Sequence, residues 1–168
     1  MVEQSGATED EPLYFEDLHV GDQNLSGGRT VTEADVVNFA GLSGDFHGLH
    51  MDETFAINAS YGRRIAHGML IVAMTAGLVL RLPLMRRLER TTLALAGVNV
   101  RFLRPVFIGD TIKVDLVVVE MLESRSKPDR GSVVMRRSVV NQRQELAVEG
   151  LWTLMVKRCP ANFKAGAG

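Results

Sequence analysis

The run Met69 to Leu80, MLIVAMTAGLVL, constrains the fold more than any other segment of the chain. It is interrupted only by Thr75 and stops at Arg81, and its twelve residues fall short of the roughly 20 needed to cross a bilayer. Extended to about Ala66–Arg81, it reads as a helix with apolar residues on nearly every face, which predicts a helix surrounded by protein. Pro83 marks its expected end. Before it, Thr32 as N-cap, Asp35 in the first turn and the apolar Val36, Val37, Phe39 and Ala40 predict one helix, and Glu53 to Ser60 a shorter one.

From Thr92 the pattern changes to strands. Leu93–Phe107, Thr111–Glu123, Ser132–Asn141 and Leu146–Arg158 are β-branched or alternating runs, separated by Ile108-Gly109-Asp110 and by the polar stretches SKPDRG and NQRQE. Pro105 restricts the end of the first run to an edge. In the last run Leu146, Val148, Trp152, Leu154 and Val156 share one face with Gly150, the period of a half-buried strand. One fully apolar helix followed by consecutive strands implies an α+β domain, in which an antiparallel sheet buries the helix by curling round it. A doubly wound parallel sheet is disfavoured, because strands and helices do not alternate, and neither Gly27-Gly28 nor Gly41 to Gly44 forms a phosphate-binding G-x-G-x-x-G.

The 168 residues suit one domain, expected over 13–158 between an acidic leader (1–12) and a C-terminal tail (159–168). With 46% hydrophobic residues and a net charge of -1, a globular protein without nucleic acid or membrane as partner is expected. The leader is polar and acidic where a secretory signal would be basic and then apolar. The single cysteine, Cys159, fits a reducing, cytoplasmic setting and excludes an internal disulfide.

Between the first two helices lies Gly44 to His50, GDFHGLH. Asp45 and His50 are five residues apart, off one face of a helix and on opposite faces of a strand, so they converge only if the loop turns back. Gly44 and Gly48 are the residues expected to permit that. Asp45, His47, His50 and Asp52 are also conceivable metal ligands, but H-x-x-H spacing suits a metal on a helix, and no regular helix is expected across Gly48. The expectation is therefore no metal.

The stretches LSGDFHGLHMDETFA and YGRRIAHGML, followed by FLRPVFIGD, resemble the signature of the MaoC-like, (R)-specific enoyl-CoA hydratase family, whose members have a hotdog fold. The similarity runs from about Thr32 to Lys113. It implies a long central helix wrapped by a curved antiparallel sheet, as the pattern itself does, and the hydration of enoyl thioesters or the reverse dehydration. That chemistry requires an activated water, a proton for the α-carbon and a donor for the developing enolate oxygen. Asp45 and His50 carry the first two tasks. A neutral imidazole, with an ordinary pKa of about 6.5, suits the base and leaves Asp45 as acid once burial raises its pKa, although both could hold one water. The family's oxyanion donor is a backbone N–H that corresponds to Gly68, at a helix start where free N–H groups and the dipole favour an anion. His67 is expected to orient the loop.

Where the family commonly reads S-G-D-x-N-P-L-H, this chain has His47-Gly48. The exchange loosens the loop and replaces an amide by an imidazole, so His47 is a candidate substrate contact. Arg63, Arg64, Arg101 and Arg104 are candidates for the coenzyme A phosphates. No resident cofactor is expected, since coenzyme A arrives with its acyl group, and a carrier-protein thioester is equally compatible. The family implies a homodimer or larger assembly. A hotdog thioesterase and a non-catalytic acyl-CoA binder are the alternative readings.

Overall fold

A computed structural model describes residues 11–162. Two short strands, β1 (Gln23–Leu25) and β2 (Arg29–Thr30), lead into helices α1 (Glu33–Ser43), α2 (Gly48–Met51), α3 (Glu53–Ile57), α4 (Gly68–Val79) and α5 (Pro83–Leu88). Strands β3 (Thr92–Phe102), β4 (Thr111–Glu123), β5 (Arg130–Val140) and β6 (Leu146–Lys157) follow, with a 3-10 turn at each end of the described chain. The strands form one antiparallel sheet in the order β1-β4-β5-β6-β3, with β2 also paired to β4. The expected leader and tail fall mostly outside the described residues. Their described parts are anchored: Arg87 Nε donates to the Glu11 carbonyl, and the Cys159 N–H to Glu16 Oε2 at 2.9 Å.

The α+β reading of the sequence holds, and alternation along the strands explains why. The helix-facing side of the sheet carries Val114, Leu116, Val133, Met135, Leu154 and Val156, all buried against Leu70, Ile71, Met74 and Leu78 of α4. Thr75, the one polar interruption, is buried with its hydroxyl donating to the Ile71 carbonyl at 2.7 Å, so it leaves no orphan group in the core.

Three expectations need correction. Pro83 does not end the long helix: α4 stops at Val79, and Pro83 opens α5 at a position where its missing N–H costs nothing. The first long strand ends at Phe102 rather than Phe107. The long helix is also not enclosed. Met69 and Leu80 are each 60% exposed and Ala73 is exposed between them, because the sheet covers only the opposite side of α4.

Candidate active site

The site is assembled where α1, α2 and α4 meet. Thr32 and Asp35 form a capping box at the start of α1, fixing where that helix begins and hence where it delivers its C-terminus. Gly44 caps that end in the left-handed region, at φ +76°, and turns the chain back. The Asp45 N–H then meets Ser43 Oγ at 3.2 Å, and the His47 N–H donates to Asp45 Oδ1 at 3.2 Å.

The segment after Asp45 is helical, contrary to the expected irregular loop: α2 is a single turn. Its N-cap is His47, whose Nδ1 accepts the Leu49 N–H at 3.2 Å. Asp52 caps α3 in the same manner through Phe55 N–H at 3.0 Å. Two of the conceivable metal ligands are therefore helix caps. Gly48 has no positive φ, so its role is not to bend the chain. A Cβ there would lie 2.7 Å from Phe55 Cγ, close to the root of that side chain, and glycine is what lets α3 pack on α2.

His50 is held by Ile65, whose carbonyl lies 2.8 Å from Nδ1. A carbonyl only accepts, so the neutral ring carries its proton on Nδ1 and leaves a lone pair on Nε2. Burial holds the imidazole below its ordinary pKa, the Ile65 hydrogen bond opposes this, and positive charge on His67 would add to the depression. His67, buried at the N-cap of α4, stacks on His50 with ring centroids 3.9 Å apart. Its Nε2 donates to the Asp45 carbonyl at 2.9 Å, which ties the loop to the start of α4. Its Nδ1 is buried with no partner among the described residues.

One ligand atom each from Asp45, His50 and His67 lies within 4.8 Å of the others. Imidazole lone pairs lie in the ring plane, and two rings inclined by only 29° and stacked send theirs side by side rather than towards one ion. The spacing between Asp45 and His50 instead suits a water molecule hydrogen-bonded to both.

Gly68 opens α4, so its N–H has no acceptor within the helix and stands at the positive end of the dipole. A Cβ at this position would meet Phe102 Cε1 at 2.7 Å. Asp45, His50, His67 and Gly68 all line one cavity of about 470 Å³, with Tyr61, Phe102 and Arg104 among its walls. Tyr61 and Phe102 are absent from the sequence reading, because an aromatic residue at a strand end or turn carries no pattern that marks it as a cavity wall.

The four candidate arginines separate. Arg104 lines the cavity. Arg63 stacks over the Phe107 ring at 3.7 Å. Arg64 is engaged by Glu33 and Glu53. Arg101 lines a second cavity with Arg136 and Glu149, on the side of the sheet away from α4. His47 is outside the lining of the first cavity, although its ring lies 6.2 Å from that of His50.

An antiparallel sheet packed on one central helix defines the hotdog class, and here Asp45 and His50 stand beside the N-terminus of that helix. The chain belongs to the MaoC-like domain family, whose family model matches residues 17–141. It is 43% identical over 104 residues to Protein MaoC of Klebsiella aerogenes, covering 61% of this chain and only 30% of that much longer protein. It is 33% identical over 143 residues to the (R)-specific enoyl-CoA hydratase of Rhodospirillum rubrum, covering 85% of this chain and 91% of the relative. Among solved structures, a protein from Archaeoglobus fulgius described as a monoamine oxidase regulatory protein superposes with a TM-score of 0.85 at 36% identity, covering 92% of this chain and all of that one (100%). A Mycobacterium tuberculosis protein described as having a double hotdog fold superposes with a TM-score of 0.77 at 21% identity, covering 92% of this chain and 47% of that one, and supports the fold alone.

Proposed function

We propose that the protein adds water, with (R)-specificity, across the double bond of trans-2-enoyl-CoA thioesters, or removes it from 3-hydroxyacyl thioesters in reverse. The observation that carries the reading is the pinned tautomer of His50: Ile65 holds Nδ1–H, so Nε2 is the free base, and Asp45 is the neighbouring carboxyl group. In this mechanism a water held by both residues gives a proton to His50 Nε2 as its oxygen bonds to the β-carbon. The thioester oxygen gains charge and is met by the Gly68 N–H. Asp45 delivers a proton to the α-carbon, and the imidazolium restores that proton as the cycle closes. Asp45 is exposed in the single chain, so the burial that the acid role needs falls to the bound thioester. Arg104, at the cavity wall, is the basic residue best placed for the coenzyme A end.

The resemblance to an (R)-specific enoyl-CoA hydratase over most of both chains supports the same chemistry. The test is incubation with crotonyl-CoA and longer enoyl thioesters, following loss of the conjugated thioester and release of free thiol. Loss without thiol is expected; release of thiol would mean a thioesterase, and binding without either would mean a non-catalytic binder. Asp45→Asn and His50→Ala should each lower hydration by about 10²–10⁴ with the fold retained. Retained activity in either would sink the assignment.

The working unit in this reading is a homodimer. Met69 and Ala73 on α4 and Leu80 at its C-cap are exposed, as are Leu95, Val98 and Phe102 on the same side of edge strand β3. Apolar surface on both elements, next to a strand edge unpaired among the described residues, is what a second copy would cover.

A further inference from the structure

The single turn α2 is too short to be stable by itself, because a four-residue helix cannot repay its nucleation cost. Its position must therefore come from its surroundings, and that position decides where His50 stands. Two of the stabilising contacts come from Ile65: its N–H donates to the Leu49 carbonyl at 3.0 Å, and its carbonyl accepts from His50 Nδ1. Another comes from the preceding residue, Arg64, whose Nη1 reaches the His50 carbonyl at 3.4 Å.

We propose that Arg64 is a positioning residue for His50, holding the first turns of α1, α2 and α3 together by one guanidinium rather than meeting coenzyme A. Its fork grips Glu33 on α1 through Nη1 at 2.8 Å and Nη2 at 2.6 Å, and Nε donates to Glu53 on α3 at 3.0 Å. With the bond to His50, four of its five N–H donors are committed, which leaves little for a phosphate. The side chain is 19% exposed while the two glutamates are more than half exposed, so the plane of the guanidinium is fixed between the helices. Arg64 is absent from the cavity lining that includes its neighbours Ile65 and Ala66. Ile65 and Ala66 are in turn fixed to the next segment, through a bridge to Phe107 and the Ala66 N–H to the Val106 carbonyl at 2.8 Å. Arg64 thus joins this hydrogen-bonded backbone to the helical turn that carries His50.

The catalytic part of this inference rests on the proposed hydratase reading; the positional part does not. Displacing a base by a fraction of an ångström is costly because rate depends on attack geometry more than substrate affinity does. Arg64→Met should lower kcat for enoyl thioester hydration by about ten- to a hundredfold with KM within about twofold, and Arg64→Lys should recover part of the loss. The imidazole NMR titration of His50, assigned by its absence in His50→Gln, should move up towards the ordinary histidine value in Arg64→Met as burial is relaxed. The charged and titratable groups facing that ring are His67 and Asp45, with His47 on the same turn, and all remain in the variant. A rise in KM with kcat retained would make Arg64 a substrate contact and overturn the proposal, as would an unchanged kcat and titration. If the wild type hydrates no enoyl thioester, the function reading fails while the titration still decides the positional claim. If Arg64→Met does not fold, the double variant Glu33→Gln, Glu53→Gln leaves Arg64 in place: a smaller shift in the same direction supports the proposal, and none overturns it.

Discussion

His50 carries two linked pH effects. Because burial depresses its folded pKa, the imidazole stays neutral to lower pH than an exposed histidine. The acidic limb of kcat/KM should therefore fall below the usual histidine range, and a limb within or above that range in the measured pH-rate profile would contradict the buried base. The same shift affects stability with a defined sign. The unfolded chain binds the proton more readily, so this contribution is fully present above the ordinary value of about 6.5 and is lost as pH falls from there through the depressed folded value. Denaturant melts of His50→Gln should show a flatter pH dependence across that window than the wild type. At this scale the sequence was informative about residue type and silent about partners. Asp45 and His50 stand out in GDFHGLH, but nothing in the string says that the Ile65 carbonyl selects the tautomer or that His47 spends its Nδ1 on capping α2.

Elements were legible wherever a periodic pattern was long. Strands β4 to β6 and the core of α4 emerged with bounds close to those observed, because burial of one face writes the pattern directly. Strands β1 and β2 and helix α2 were missed, being too short for a period and stabilised by contacts with distant segments. Strand β5 also departs from its own pattern. Arg137 lies on the helix-facing side, 5% exposed, with its Nε unpartnered and its guanidinium 4.7 Å from the Trp152 ring. Burial lowers its pKa to about 10, so it remains a cation at neutral pH. A buried cation stacked on an indole gains less than a buried ion pair, and even such pairs are often replaced by apolar residues without loss. Arg137→Met should leave Tm unchanged or raise it in a thermal melt. A large fall in Tm would show that a carboxylate from elsewhere pairs with it.

For the whole molecule, the mismatch between an apolar helix and a sheet that covers only one of its sides is the feature with the broadest consequence. The exposed side of α4 and the exposed Leu95, Val98 and Phe102 of β3 are apolar, and they flank a sheet edge left unpaired among the described residues. Light scattering should give the mass of a dimer or a multiple of it. Leu95→Glu, which places a charge on that surface, should shift the mass towards the monomer. A monomeric wild type, or a variant of unaltered mass, would remove this face from consideration. No helix among the described residues is long and apolar enough to cross a membrane.

The sequence by itself determined the α+β class, because burial periodicity is a local property of a string, and its resemblance to the family signature singled out the two residues proposed for chemistry. Only the tertiary structure decided what surrounds those residues. The stacking of His67 on His50, the contact that keeps Gly48 bare, and the binding of Arg64 to three helices join segments distant in sequence or depend on how a side chain turns. Local propensity does not encode such contacts, which exist only once the core has brought the segments together.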